Sequence, residues 1–228
     1  RVGSGAVNTS RVNAEITGGT LNLSEGGNGI DFSPVGAGTT QKVNDLTINL
    51  SETANGQALI LSNTNPTAVT LNNTHINLYN GIGFNSLNGF TFEGTDNKSN
   101  SVTVKGSGYG ANVSKDLSIL ENAYLDVTVE SDTGTGIRVI DGATTDVINI
   151  TENIANKIVA KNATAIEVAG TVGRQVNINE NADVNGGIKF NNGNVDNTLN
   201  LQNHSAIQGE VTFSNGNNTI NILGGDIA

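Results

Sequence analysis

The chain has 228 residues, a formal net charge of -10 and only 14% charged residues, with 29 Gly, 2 Pro and no Cys, Met or Trp. So few Lys and Arg argue against nucleic acid, whose phosphates need cations, and against an anionic membrane surface. Without Cys there is no disulfide and no thiolate metal site, and no apolar run approaches the ~20 residues of a spanning helix.

The predicted elements are all short strands. Val12, Ala14 and Ile16 alternate in a weak first turn. Leu21-Asn22-Leu23 opens a clear rung, which Gly29-Ile30-Asp31-Phe32 closes. A loop is expected over 33–44, around Pro34. Ile48-Asn49-Leu50 then leads to a run from Gly56 to Leu61, and Ile76-Asn77-Leu78 leads to Gly81-Ile82-Gly83-Phe84. A second loop is expected over 94–100. Val102-Thr103-Val104 leads to Gly110-Ala111-Asn112-Val113, and Leu125 to Val129 leads to Gly136-Ile137-Arg138-Val139. Ile148-Asn149-Ile150 leads to Ala165-Ile166-Glu167-Val168, where Ala replaces the Gly.

The C-terminal third states the pattern most plainly. Val176-Asn177-Ile178 leads to Gly187-Ile188-Lys189-Phe190, and Leu199-Asn200-Leu201 leads to Gly209-Glu210-Val211-Thr212-Phe213. Ile220-Asn221-Ile222 begins it again. A repeat every ~20–30 residues marks a solenoid, propeller or array. Strict alternation gives each strand an apolar and a polar face. The expected fold is all-β, a right-handed parallel β-helix (β-solenoid) of about nine or more rungs. One domain is expected over residues 1–228. No polar cap is evident at either end and no signal peptide opens the chain, so a piece of a longer solenoid is expected. Phe32, Phe84, Phe190 and Phe213 are expected to share an inner column with Val113, Val139 and Val168. The repeated Gly is expected at a sharp corner, a place that suits positive φ.

Two outward columns follow from the same alignment. The first collects Asn22, Asn49, Asn77, Asn149, Asn177, Asn200 and Asn221, with Thr103 and Thr128 in the middle rungs. Stacked amides donate to and accept from one another along a cross-β axis. Such a ladder straightens a sheet, and it is also a hydrogen-bonding strip for an identical molecule or a sugar. The second column runs Asp31, Gly83, Asn112, Arg138, Glu167, Lys189. It places Glu167 between Arg138 and Lys189, which keeps the face soluble and guards register.

Catalytic patterns are sparse. Asp126, Glu130 and Asp132 are close enough to suggest a carboxylate pair, but they also read as a solvated acidic turn before Gly134. His75 and His204 do not form a metal pair by spacing, and no Ser stands in a Gly-x-Ser-x-Gly elbow. Gly26-Gly27-Asn28-Gly29-Ile30-Asp31 is like the start of a calcium-binding nonapeptide, but occurs once and reads as a turn. No enzyme activity, cofactor or metal is expected.

The runs Asn197-Thr198-Leu199-Asn200-Leu201, Ala206-Ile207-Gln208-Gly209 and Asn217-Asn218-Thr219-Ile220-Asn221-Ile222 resemble the passenger domains of bacterial type V autotransporters. The lack of Cys and the Asn, Gly, Thr and Ser bias are similar to that family, and filamentous haemagglutinin-like exoproteins share these loose motifs. The resemblance implies a β-helix placed at the bacterial cell surface or secreted, after export through an outer-membrane barrel that these residues do not include. It implies an adhesin, whose partner is either itself or a host cell-surface protein or glycan, with no nucleic acid and no membrane insertion by this chain. Two alternatives stay open. One is a released passenger that binds a host receptor as an effector or toxin through the two loops. The other is an enzyme acting on polysaccharide.

Overall fold

A computed structural model of the chain describes residues 7–8, 13–32, 41–61, 67–87, 90–94, 98–115, 117–120, 123–140, 147–150, 157–179, 182–202, 204–224 and 226–228. Among the described residues twenty-three strands follow one another, and the strand-to-strand pairings are parallel. Parallel neighbours need a long crossover between them. Here the rest of the coil is the crossover, and the result is a parallel β-solenoid.

Each coil carries three strands rather than the two legible in the sequence. Face 1 stacks 14–17, 41–44, Thr67–Asn72, Phe90–Gly94, Leu117–Ile119, Val147–Ile150, Gln175–Ile178, Thr198–Gln202 and Thr219–Leu223. Face 2 stacks 19–23, 46–50, His75–Leu78, Asn100–Val104, Leu125–Val129, 157–160, 183–186, Ala206–Gln208 and Asp226–Ile227. Face 3 stacks Ile30–Asp31, Gln57–Leu61, Ile82–Ser86, Tyr109–Ser114, Thr135–Ile140, 164–169 and 187–191, with Val7–Asn8 and Val211–Thr212 at its ends.

The core is a set of apolar columns. On face 2, Leu21, Ile48, Ile76, Val102, Val127, Ile158, Val184, Ile207 and Ile227 are in unbroken register. From Ile48 to Ile207 these side chains are buried. Each such Val, Ile or Leu contributes about 1.5–3 kcal/mol by leaving water. A single coil has no partner for its inner face, so the column exists only through stacking.

The inner Phe residues do not share one column. Phe84 is in register with Leu59 and Ala111, and that column continues through Ile137, Ile166 and Ile188. Val113, Val139, Val168 and Phe190 form the neighbouring column, which Ser86 joins in place of Phe84. The Phe190 ring stacks on Phe213 with centroids 4.7 Å apart, while Phe84 meets Phe92 edge to face at 4.7 Å.

The repeated glycines from Gly29 to Gly136 are explained by close approach of a neighbouring carbonyl, not by positive φ, while Gly209 has a φ of 157°. At the corner between faces 2 and 3 a Cβ on Gly108 would lie 2.5 Å from the carbonyl oxygen of Gly81, and its φ is not in the left-handed region. Left-handed residues recur at the corner between faces 1 and 2, where Gly18, Asp45 and Asn73 have φ of 76°, 52° and 50°. Asn and Asp tolerate this conformation better than other non-Gly residues.

The expected loops shrink. Residues 41–44 belong to the strand Gln41–Leu50, and 33–40 lie outside the described residues. Gly94 and Asn100 end and begin strands, and 95–97 lie outside the described residues. Val12 of the weak first turn also lies outside them.

Candidate functional site

The outward side chains are the candidate site, because the interior is filled. They form ladders, and the single Asn column expected from the sequence separates into two on different faces. On face 2, Asn22, Asn49 and Asn77 are in register and continue through Thr103, Thr128, Val159, Asn185 and Gln208. On face 1, Thr91, Ser118, Asn149, Asn177, Asn200 and Asn221 form the other column. Asn149 takes its place there by its backbone, and its side chain lies outside the described set.

Both ladders are hydrogen-bonded along the axis. Asn49 Nδ2 donates to Asn22 Oδ1 at 2.9 Å, and Asn77 Nδ2 donates to Asn49 Oδ1 at 2.9 Å. On face 1, Asn200 Nδ2 donates to Asn177 Oδ1 at 2.7 Å, and Asn221 Nδ2 donates to Asn200 Oδ1 at 2.8 Å. Gln175 Nε2 also donates to Asn177 Oδ1, at 3.0 Å. A primary amide has two N–H donors and two acceptor lone pairs. The ladder uses one of each on Asn49 and on Asn200, which leaves a second donor and a second acceptor on these two amides, whereas Asn177 Oδ1 accepts twice. Ladder neighbours are ~4.8 Å apart along the axis.

Sequence reasoning missed further stacks of the same kind. Asn72 Nδ2 donates to Asn44 Oδ1 at 2.8 Å, and Asn44 Nδ2 donates to Glu15 Oε1 at 2.8 Å. Asn112 Nδ2 donates to Asn85 Oδ1 at 3.0 Å. The signal was present: Asn44-Asp45 and Asn72-Asn73 recur at the spacing of one coil.

Beside the face 2 ladder the corner residues Ser51, Tyr79 and Lys105 rise to form one wall of an open trough. Asn22, Asn49 and Asn77 form its floor, and its volume is about 280 Å³. Leu23 and Leu50 line it as well, so the trough offers an aromatic ring, a cation and a row of amides beside apolar surface, a combination that a hydroxyl-bearing ring can use.

Face 3 carries the charged column. Arg138, Glu167 and Lys189 are adjacent in register, with Asn112 and then Asn85 before them. Asn85, not Gly83, holds that outward place, because Phe84 pairs with Ala111. Arg138 Nε lies 3.2 Å from Glu167 Oε2. Its guanidinium also sits 5.3 Å from the centre of the Tyr109 ring. Lys189 is exposed.

Asp126 and Glu130 point to the outside of face 2 but stand two columns apart, with Thr128 between them. His75 lies on face 2 and His204 at a later corner, exposed and with φ of 64°. Among the described residues no group of three or more His, Cys, Asp or Glu is placed to hold a metal ion. No described helix is long and apolar enough to cross a membrane.

No family model matches the chain, and no curated protein or solved structure matches it either. The site therefore has to be read from its own chemistry.

Proposed function

We propose that the protein is a cell-surface or secreted adhesive rod of the autotransporter passenger type, acting through self-association or binding to a host surface. The observation that carries this reading is the pair of amide ladders, Asn22–Asn49–Asn77 on face 2 and Asn177–Asn200–Asn221 on face 1, in which Asn49 and Asn200 each keep a second N–H and a second lone pair beyond the ladder bonds. An amide is its own complement, so one ladder can pair with the same ladder on a second molecule. Many weak, evenly spaced bonds then add along the rod, which is the arithmetic of multivalent attachment. The trough beside Tyr79 and Lys105 favours a glycan as the second kind of partner.

The test is sedimentation of the purified chain over a concentration series at low and high salt. Ladder pairing predicts reversible association that persists at high salt, since neutral amides are not screened. Asn49→Arg with Asn77→Arg, compared with Asn177→Arg and Asn200→Arg, then assigns the face. Association that survives both pairs of substitutions argues against the ladders. A strict monomer at every concentration removes self-association and leaves a host ligand, for which a glycan array is the next measurement.

A further inference from the structure

Four side chains at the edge of face 2 form a chain of hydrogen bonds with one direction. Asn73 Nδ2 donates to Asp45 Oδ1 at 2.8 Å. A carboxylate only accepts, so this bond fixes which end of the Asn73 amide is nitrogen. Asn73 Oδ1 then faces His75 Nε2 at 3.1 Å. An amide oxygen cannot donate, so Nε2 carries the proton and Nδ1 is the basic nitrogen. His75 Nδ1 lies 2.8 Å from Ser101 Oγ, whose hydrogen it accepts. The order is Ser101 to His75 to Asn73 to Asp45, donor to acceptor at every step.

The fold places each member. His75 and Ser101 are neighbours in register on face 2. Asp45 and Asn73 stack at the left-handed corner just before that face. His75 and Ser101 are half-buried, and Asp45 and Asn73 are exposed, so the chain faces solvent.

We propose that Ser101 is a nucleophile toward acyl esters, with His75 as its general base and Asn73 and Asp45 as positioning residues. This is the arrangement an activated serine requires: a hydroxyl on a base, and a base oriented by a third group. Ser101 Oγ attacks the ester carbonyl carbon and its proton passes to His75 Nδ1. The bond from carbon to the leaving oxygen breaks, and His75 returns the proton to the departing alcohol. Water, losing a proton to His75 Nδ1, then adds to the acyl carbon; the bond to Ser101 Oγ breaks, His75 returns the proton to Oγ, and a carboxylic acid is released. Thr103 and Asn77 stand in the adjoining outward column, two residues beyond Ser101 and His75 along their strands. They carry O–H and N–H groups on that face. Asp126 follows Ser101 in register. Its negative charge opposes an oxyanion, so activated esters are substrates and amides are not.

This inference stands apart from the adhesive reading and does not need it. Its test uses the full chain and a fluorophosphonate probe, with labelled serines located by peptide mass spectrometry. Ser118 is the internal reference. It points outward on face 1 between Thr91 and Asn149 in register, with no histidine beside it. General-base assistance predicts that Ser101 labels roughly 10²-fold faster than Ser118. His75→Gln should bring the two rates together, and Asp45→Asn should slow Ser101 without changing Ser118. p-Nitrophenyl acetate should be cleaved by the unmodified chain and not by Ser101→Ala. Equal labelling of the two serines overturns the proposal, even if a variant fails to fold. Nitrophenolate release that is unchanged in Ser101→Ala also overturns it.

Discussion

Asn77 shows what one ladder residue does. Its Nδ2 donates to Asn49 Oδ1, and its neighbour on the other side is Thr103. The bond is partly exposed, so its net worth is about 1 kcal/mol. Asn77→Asp replaces the donor with an acceptor that faces another acceptor. The expected loss is about 1–2 kcal/mol in urea unfolding, because one bond is lost and two oxygens repel. Asn77→Ala should cost less. Equal losses for the two would mean that the ladder bond contributes little. Gly108 sets a harder limit. Its missing Cβ makes room for the Gly81 carbonyl of the coil below. That neighbour is backbone and cannot rotate aside. Gly108→Ala is expected to cost more than about 2 kcal/mol, which thermal unfolding would show as a lower midpoint.

At the level of the strand, the sequence reveals the pitch of the repeat better than its cross-section. Apolar-Asn-apolar triplets are real outward-facing strands, but two faces use the same wording. Leu21-Asn22-Leu23 lies on face 2 and Leu199-Asn200-Leu201 on face 1. Nothing in a triplet states its face, so one list merged two ladders. Coil length adds to the difficulty. Ladder partners are 27 and 28 residues apart on face 2, but 23 and 21 apart on face 1 near the C-terminal end. That drift blurs the register in the sequence, which is how Gly83 displaced Asn85. The face 1 strand at 41–44 was hidden among residues read as a loop.

The charged column was legible because its members differ in sign. Arg138, Glu167 and Lys189 had to be neighbours for their alternation to make sense, and they are. The Arg138 to Glu167 pair has side chains 33% and 21% exposed, and it lacks the alignment of a hydrogen bond. Its worth is therefore that of a surface pair, up to about 1 kcal/mol. Glu167→Gln should lower stability by no more than this, and the difference from the unmodified chain should shrink in high salt. A larger, salt-independent loss would show that packing of the Glu167 stem is what counts.

Across the whole molecule, contacts are between successive coils, and stability is close to a sum of nearest-neighbour terms. The side chain of Arg174 departs from that rule. It is buried at the corner between faces 3 and 1, where Nη2 donates to the Ile140 carbonyl at 2.6 Å and Nη1 to the Lys115 carbonyl at 3.3 Å. Its backbone N–H donates to Asn197 Oδ1 at 3.1 Å, on the following coil. One residue thus joins four successive coils. Nothing in the sequence singles it out, since a lone Arg in a polar turn looks like any solvated cation.

That reach has a mechanical meaning. A rod of independent coils pulled from one end unravels in small, even steps, one coil at a time. Arg174 rivets the stretch back to Lys115, a separation of 59 residues. Pulled from the C-terminal end in an optical trap, the rod should yield in short steps down to this rivet. It should then hold, and release about 200 Å of chain in one event, taking ~3.4 Å for each extended residue. Arg174→Met keeps a long stem in the corner but removes the donors, and should restore even steps.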